Sequence, residues 1–376
     1  MQQACETDSV TVGTLTIDLG AIVANWRLLA ERAAGSECAA VVKADAYGLG
    51  VAAVAPALLA AGCGTFFVAT VAEGVQLRDL LGTDPSIVVF NGPGTERDES
   101  ETLRAQGLLP VLNSLEQVGT WSAFARRADA PLPCVLHLDT GMNRLGLAAT
   151  DVQALALDAS RLAGVDVRLI MSHLACAEDA ANKMNRRQLV SFLQRCAPLP
   201  PAPQSLANSA GIFLGPAYTF DMVRPGIALY GANPVPSGAN PMAEVVHLQG
   251  RIIQVRRVDS PETVGYGAAF SVTAPTRIAT VAAGYADGYL RSASGRGAAM
   301  IGGVRVPIVG RVSMDLITLD VTAVPESVAI PGAGVSLIGG GISVDDVANA
   351  AGTIPYEILT SLGPRYGRVY RPASPT

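Results

Sequence analysis

The sequence predicts a (β/α)8 barrel of the TIM type followed by a C-terminal, mostly-β domain. In the first part of the chain, about eight short apolar runs alternate with helical patterns. No G-x-G-x-x-G turn follows the first strand, as it would in a doubly wound dinucleotide-binding sheet. Residues 233–238 form a turn-rich junction, and strand patterns separated by Gly and Pro follow it. We therefore expect residues 1–235 to form the barrel and residues 236–376 the β domain.

The barrel elements are predicted from apolar runs and from apolar residues spaced three and four apart. Asp18 is placed to cap the first helix and Gly35 to end it, and Ser114 and Thr150 are each followed three residues later by glutamine, as in a capping box. The strand patterns lie at residues 40–43, 65–68, 87–90, 108–112, 135–138, 165–171, 205–207 and 220–223. The helical patterns lie at residues 22–33, 51–61, 73–81, 115–124, from 150 onward, 179–196 and 209–214.

The second domain is predicted to be built mainly of strands, with two short helices near its end. The strand patterns lie at residues 245–258, 277–283, 298–301, 304–309, 316–321 and 335–338. The helical patterns lie at residues 344–350 and 356–362.

Composition and charge argue against several classes of partner. The net charge is −5 and the 27 Lys and Arg residues form no basic stripe, so we expect no nucleic acid partner. Residues 1–11 are polar and unlike a signal peptide. The longest apolar tract, residues 51–63, contains Pro56 and is shorter than the roughly 20 residues that span a bilayer. We expect a cytoplasmic protein with no membrane partner.

The cysteine and histidine content gives no support for a metal site. None of the six cysteines forms a C-x-x-C pair, so neither a zinc site nor a disulfide framework is indicated. Only three histidines are available, which is few for a metallohydrolase barrel. We expect no bound metal.

Lys43 is the residue around which the chemistry is predicted. It follows the apolar run Ala40 to Val42, which is typical of a strand buried on both faces. Burial disfavours a charged amine and lowers its pKa from about 10.4 in water. A neutral amine is what formation of a Schiff base requires. The alternative is that the side chain only extends from the strand end into solvent.

Polar residues also end four other predicted barrel strands, where the active sites of such barrels lie. They are the segments at residues 139–144, 172–173, 208–209 and 224–227. Ser209 begins a short helix and Gly226 and Ile227 follow a proline, so their backbone N–H groups are candidates for an anion site. Ordinary helix capping explains Ser209 equally well.

The order of these segments across both domains resembles the alanine racemase family of pyridoxal-phosphate enzymes. The similarity covers nearly the whole chain and is carried by residues 40–48, 139–142 with Arg144, 172–173, 207–209, 224–227, 284–288 and 313–315. It implies a barrel plus a β domain and a head-to-tail homodimer whose active sites each borrow residues from the partner. It also implies interconversion of L- and D-alanine, with pyridoxal 5'-phosphate as cofactor.

The resemblance assigns roles position by position. Lys43 would hold the cofactor and act as one acid/base group, and Tyr285 of the other subunit would be the second, since racemisation needs a base on each face of Cα. Arg224 would donate to the pyridine nitrogen, and His173 would link it to Tyr285, although His173 is also explained as a core histidine. The remaining cofactor contacts would come from Tyr47, Asn208, Ser209, Gly226 and Ile227.

The substrate carboxylate would be bound by Arg144 and by the backbone amide of Met314, and a small pocket between Tyr285 and Met314 would favour alanine. Two positions depart from the family pattern. His137 stands where many members have a lysine, often carbamylated, that supports the arginine. Pro364 stands where a phosphate-contacting tyrosine is common, and the nearby Tyr366 is a candidate substitute.

Several alternative functions stay open. A racemase of broader range, acting on serine or other amino acids, fits the same motifs. A related barrel decarboxylase would be expected to pair the pyridine nitrogen with an acidic residue, and a non-catalytic pyridoxal-phosphate carrier would lack the β domain. The choice between D-alanine supply for peptidoglycan and D-alanine catabolism is also open.

Overall fold

The structure is a computed structural model that describes residues 12–94, 97–128, 130–259, 261–273 and 275–372. These residues form two compact units. One unit is residues 22–243, and the other combines residues 12–21 with residues 244–372. None of the helices in the described ranges is long and apolar enough to cross a bilayer.

The first unit contains a ring of parallel strands. Seven of them form one sheet in the order β3 to β9, and β10 pairs in parallel with β2, which precedes β3. The ring closes because Arg224 N donates to Ala207 O (3.0 Å) and Val41 N donates to Pro225 O (2.9 Å). The strands are β2 Glu37–Cys38, β3 Ala40–Val41, β4 Thr65–Val68, β5 Ser86–Val89, β6 Leu108–Leu112, β7 Leu132–His137, β8 Val165–Met171, β9 Gln204–Ser205 and β10 Met222–Val223. The predicted barrel fold is confirmed.

Helices connect these strands and cover the outer face of the strand ring. The helices are α1 Leu19–Arg32, α2 Lys43–Gly48, α3 Val51–Ala60, α4 Val71–Leu81, α5 Arg97–Ala105, α6 Leu115–Ala125, α7 Ala149–Leu157 and α8 Lys183–Cys196, with 3-10 turns at Ala159–Leu162, Gly211–Leu214, Pro216–Tyr218 and Ile227–Tyr230. Asp18 caps α1 as predicted, through Ala21 N (2.8 Å).

Several predicted helix starts differ from the structure by one to four residues, and at two of them the capping residue differs as well. Helix α7 is capped at Ala148, where Asp151 accepts the backbone N–H, so Thr150 and Gln153 do not form the cap. Helix α8 begins after Asn182, whose side chain accepts from Met184 N (3.0 Å), four residues later than predicted. In both cases the side chain that accepts a backbone N–H at the helix start, Asp151 or Asn182, is not one that the sequence patterns singled out.

The second unit is mostly β, as predicted. Its main sheet runs β16-β15-β18-β11-β1-β19, with β14 and β17 continuing from β11. The strands are β1 Gly13–Asp18, β11 Val246–Val258, β12 Glu262–Val264, β13 Phe270–Val272, β14 Thr276–Ala282, β15 Ala298–Ile301, β16 Val304–Pro307, β17 Leu316–Asp320, β18 Gly334–Ile338 and β19 Gly367–Arg371. The helices are α9 Val344–Ala351 and α10 Pro355–Ser361, with 3-10 turns at Tyr266–Ala268, Tyr285–Asp287 and Arg291–Ala293.

Strand β1 lies in this second sheet, antiparallel to β11 and parallel to β19. The sequence patterns did not indicate β19 or the β12–β13 hairpin, because each is short and only weakly apolar. The domain limits expected from the sequence, residues 1–235 and 236–376, stay a prediction.

A buried arginine joins three elements on the barrel wall. Arg78 of α4 is 9 % exposed and donates to four backbone carbonyl groups. The acceptors are Gln106 O (2.9 Å), Gly82 O (2.7 Å), Pro85 O (2.9 Å) and Gly107 O (3.0 Å). These carbonyls lie at the end of α4 and in the turns before β5 and β6, so the side chain satisfies groups that would otherwise be buried without donors.

We expect Arg78→Met to lower the free energy of unfolding by about 2–4 kcal/mol, because it leaves these carbonyls without a donor. Urea unfolding of the two proteins measures this. The matched control is Arg104→Gln, an exposed arginine of α5, for which a change below about 0.5 kcal/mol is expected. Equal stability of Arg78→Met and wild type would contradict the prediction.

Candidate active site

Lys43 lies just after barrel strand β3 and begins a left-handed turn. Val42 separates it from β3, and the four residues after it, from Ala44 to Tyr47, have φ values of 52°, 54°, 52° and 58°. The left-handed helical conformation is unfavourable for residues with a side chain and is seldom found in consecutive positions. The turn is therefore a strained segment directly beside the predicted reactive amine.

The carboxylates of two residues stabilise this turn. Glu73 Oε1 accepts from Ala44 N (2.7 Å), and its Oε2 accepts from Ala69 N (2.7 Å), which ties the turn to the end of β4. Asp45 Oδ1 accepts from Val51 N at the start of α3 (2.7 Å). The sequence patterns did not single out Glu73, although Thr70 and Glu73 have the spacing of a capping box, which the structure contains.

The environment of Lys43 disfavours its charged form. Burial lowers the pKa of the amine, and the positive charge of Arg144 lowers it further, while Glu73 has a smaller opposite effect. The Nζ atom lies 5.6 Å from the centre of the Phe90 ring. The pKa shift has the direction expected from the sequence, and it increases the fraction of neutral, nucleophilic amine.

Arg224 is a buried cation whose contacts are all neutral. It is 3 % exposed, donates to Ser172 O (2.5 Å) and also donates to the hydroxyl of Ser205. Its Nε atom is buried and has no partner among the described residues. Burial lowers the pKa of Arg224 to about 10, so the side chain stays charged at neutral pH. One N–H donor is thus left for an acceptor that is not part of the barrel.

Ser209, Gly226 and Tyr47 lie together near the point where the barrel closes. The Ser209 hydroxyl accepts from Gly226 N (2.9 Å) and from Ala228 N (3.3 Å). A Cβ atom added to Gly226 would lie 2.2 Å from the Tyr47 hydroxyl oxygen, so only glycine allows the two to approach this closely. Ile227 begins the 3-10 turn that follows.

Asn208 has a local structural contact in addition to its position at the site. Its Oδ1 accepts from Gly211 N (2.9 Å), so it caps the 3-10 turn after Ser209. The sequence offered helix capping as an alternative explanation for Ser209. In the structure, Asn208 makes this capping contact.

Arg144 lies on a loop whose base is closed by backbone hydrogen bonds. Leu138 and Leu147 form an isolated parallel bridge, and Leu147 N donates to His137 O (2.7 Å). Inside the loop, Asp139 Oδ1 accepts from Gly141 N (2.9 Å) and Asn143 N (3.1 Å). The backbone of the loop is thus fixed, and the Arg144 side chain extends from it and is exposed.

His137 is buried and is held in one tautomer by Asn113. The Asn113 Nδ2 group donates to Phe90 O (2.9 Å) and Val111 O (3.1 Å), which leaves its Oδ1 as an acceptor. The Nδ1 atom of His137, 2.7 Å from that oxygen, must then carry the hydrogen. Burial and Arg224 lower the pKa of His137 to about 4. The ring is therefore neutral at pH 7, with Nε2 as an acceptor.

His173 is half-buried at the end of β8. Burial, followed by the charges of Arg224 and Arg144, lowers its pKa, so it is also neutral at pH 7. Gln188 Nε2 donates to His173 O (2.8 Å) and to Thr140 Oγ1 (3.2 Å), which connects the ends of β7 and β8.

Tyr285 and Met314 lie in the second unit, on two loops that touch through their backbones. Tyr285 N donates to Ser313 O (3.0 Å), and Ala286 N donates to Met314 O (3.0 Å). The Tyr285 and Met314 side chains are 40 % and 53 % exposed. The structure thus brings the predicted residues together in two groups, one at the barrel strand ends and one on these loops.

Tyr366, the candidate substitute for a phosphate-contacting tyrosine, is 2 % exposed, and its hydroxyl is buried without a partner among the described residues.

The closed barrel, the lysine at a strand end and the β unit are the features of a barrel-plus-β-domain enzyme. The chain belongs to the alanine racemase family: the family models "Alanine racemase, N-terminal domain" and "Alanine racemase, C-terminal domain" match residues 17–234 and 245–370. It is therefore an enzyme of the isomerase class.

Individual relatives agree with this family over nearly the whole chain. The alanine racemase of Rhodospirillum rubrum is 51 % identical over 357 residues, which are 95 % of each protein. A relative from Mesorhizobium japonicum named "Alanine racemase, catabolic" is 49 % identical, over 95 % of this chain and 92 % of that one. The crystal structure of the Bartonella henselae alanine racemase with covalently bound pyridoxal phosphate is 41 % identical, with a TM-score of 0.91 over 96 % of this chain and 99 % of that chain.

We expect the His137 ring to show no protonation between pH 8 and 5.5, because its pKa is lowered to about 4. In urea the ring should titrate near 6.5. Proton and nitrogen NMR spectra of the folded and unfolded protein measure this, with the signal assigned from His137→Gln. A folded-state midpoint above pH 6, or a hydrogen on Nε2 instead of Nδ1, would contradict the assignment.

Proposed function

We propose that this protein interconverts L- and D-alanine with pyridoxal 5'-phosphate held on Lys43. The observation that carries the proposal is the buried Nε donor of Arg224, which has no partner among the described residues and lies on the same barrel as a lysine with a lowered pKa. The family assignment and the covalently bound pyridoxal phosphate of the Bartonella henselae relative support it.

The residues present fit this cofactor. The cofactor would supply an electron-withdrawing ring: once the amino group of the substrate has replaced the Lys43 amine as its covalent partner, the hydrogen on Cα of the substrate becomes acidic. The Arg224 Nε donor suits the pyridine nitrogen. Tyr47, Ser209 and the amides of Gly226 and Ile227 suit the phosphate, and Asn208 and His173 complete the predicted set. Because Gly226 has no side chain, its backbone and the Tyr47 hydroxyl can lie side by side at the predicted phosphate site.

Arg224 also bears on the type of reaction. Its pKa of about 10 keeps it protonated, and its hydrogen-bond partners are a carbonyl and a hydroxyl, not carboxylates. It can therefore donate a hydrogen bond to the pyridine nitrogen without transferring a proton to it. A related decarboxylase would be expected to have an acid at this position, so the arginine favours simple proton removal and return.

Two bases are needed because one base alone would return the proton to the face it came from. We assign Lys43 to one face and Tyr285 of a second copy of the chain to the other. Tyr285, Met314 and Leu316 expose 40 %, 53 % and 37 % of their surface within one chain. A group of exposed apolar side chains of this kind suits burial in a homodimer.

The substrate contacts follow from the same arrangement. Arg144 is an exposed guanidinium on a closed loop and suits the carboxylate of alanine, together with the Met314 amide. The Tyr285 and Met314 side chains would limit the size of the substrate side chain, and a broader racemase is the second candidate. The presence of the C-terminal domain disfavours a non-catalytic carrier. The predictions of a cytoplasmic location and of no nucleic acid or membrane partner, and the choice of a biosynthetic or catabolic role, stay open to experiment.

We expect Lys43→Ala to lose both the visible absorbance of the bound cofactor and the racemisation of L-alanine. Tyr285→Ala should keep the absorbance, lose at least about 100-fold in alanine racemisation and accept bulkier amino acids. Absorbance spectra and a polarimetric assay measure both. A colourless wild type, or an active and coloured Lys43→Ala, would contradict the proposal.

A further inference from the structure

Arg365 joins the two loops of the second unit that carry Tyr285 and Met314. Its Nε donates to Asp287 Oδ1 (2.5 Å), and its Nη1 donates to Asp315 Oδ1 (2.8 Å). Asp287 is two residues after Tyr285, and Asp315 directly follows Met314. One planar guanidinium therefore spans both loops, and its rigid geometry sets the distance between the two carboxylates.

The Asp287 end of this connection is fully buried. Its carboxylate is 0 % exposed, and its second oxygen accepts from Gly284 N (2.9 Å), so it holds the first turn of the Tyr285 loop closed. Because a buried carboxylate needs a partner, the ion pair with Arg365 is the contact that compensates its charge. The carboxylates in turn raise the pKa of Arg365, which keeps it charged.

The segment that carries Arg365 is itself fixed to the Tyr285 loop. Gly363 N donates to Asp287 O (3.0 Å), and Gly288, with φ +93°, packs so closely that a Cβ atom added to it would clash with Ser361 O. The segment before Arg365 is therefore held against the Tyr285 loop, and this places the Arg365 side chain next to both carboxylates.

The loop backbones also leave little freedom at their contact. A Cβ atom on Gly284 would lie 2.2 Å from Met314 O, so only glycine permits this approach. The Tyr285 and Met314 side chains are themselves exposed, so packing within the chain does little to orient them. Their positions are set by the backbones to which they are attached.

We propose that Arg365 is a positioning residue that fixes the Tyr285 hydroxyl and the Met314 amide relative to each other through Asp287 and Asp315. This inference rests on the proposed function, in which Tyr285 exchanges a proton with Cα and Met314 binds the carboxylate. Loss of the connection moves the phenol away from the carbon it serves, and misplacement by about 1 Å is enough to reduce a rate on the order of 100-fold.

The experiment compares holoenzymes of wild type, Arg365→Met, Arg365→Lys, Asp315→Asn and the control Arg371→Gln, an exposed arginine of β19. For Arg365→Met we expect kcat/KM to fall about 10- to 100-fold, and equally from L- and from D-alanine because the equilibrium constant between enantiomers is one. The cofactor absorbance should not change, because the residues assigned to the cofactor lie on the barrel. Arg371→Gln should match wild type.

Substrates deuterated at Cα give a readout that a purely structural role would not produce. In the proposed mechanism Tyr285 removes the Cα proton of one enantiomer, and Lys43 delivers a proton to the opposite face. In the reverse direction Lys43 removes the proton of the other enantiomer and Tyr285 delivers one. If Arg365→Met slows the tyrosine step, the kinetic isotope effect should rise with one enantiomer and fall with the other. Arg365→Lys, which keeps the charge but not the planar fork, should show the same pattern with a smaller fall in rate.

Asp315→Asn removes only the exposed arm of the connection. We expect KM for alanine to rise with kcat within about twofold of wild type, because the Arg365–Asp287 pair still holds the Tyr285 loop. If Arg365→Met does not fold, Arg365→Lys and Asp315→Asn decide the question. Variants with wild-type kinetics, or isotope effects that change in the same direction for both enantiomers, would overturn this inference alone, whereas an inactive wild type would overturn the proposed function with it.

Discussion

The left-handed turn between Ala44 and Tyr47 is the constraint on which the rest of the barrel site depends. Four consecutive residues with side chains in this conformation cost roughly 1–2 kcal/mol each, so several kcal/mol must be offset by their surroundings. Glu73 and Asp45 provide part of this through charge-assisted hydrogen bonds to backbone N–H groups. The turn lets Lys43 end a strand while Tyr47, four residues later, reaches the backbone of Gly226.

The second feature of the site is an excess of positive charge. Burial is the largest cause of the lowered pKa values of Lys43, His137 and His173, and Arg144 lowers all three further, joined by Arg224 at the two histidines. Both histidines are neutral and Arg224 contacts only neutral groups. The positive charge of the barrel site therefore favours the binding of anions. A phosphate and a carboxylate would satisfy this preference, so the electrostatics of the site suit a phosphorylated cofactor and an amino acid substrate.

The fold class and the family were predictable from the sequence because both depend on local patterns: buried strands, alternating helices and short motifs at strand ends. The membership of β1 in the second sheet was not, since pairing with β11 and β19 is a contact between distant segments. The left-handed turn was also hidden, because Ala, Asp and Tyr give no local signal for positive φ. Asn113, Glu73 and Arg365 act through partners distant in sequence, so their roles became visible only in three dimensions.

The central claim is that Lys43 of one chain and Tyr285 of another act on the same carbon, and hybrid dimers test it most directly. Lys43→Ala and Tyr285→Ala chains with different affinity tags are co-expressed, and dimers carrying both tags are isolated. If the site is shared between chains, each hybrid contains one intact site and one site lacking both groups, and it should have about half the activity of a wild-type dimer. If both groups come from the same chain, every site lacks one of them, and an inactive hybrid would contradict the account.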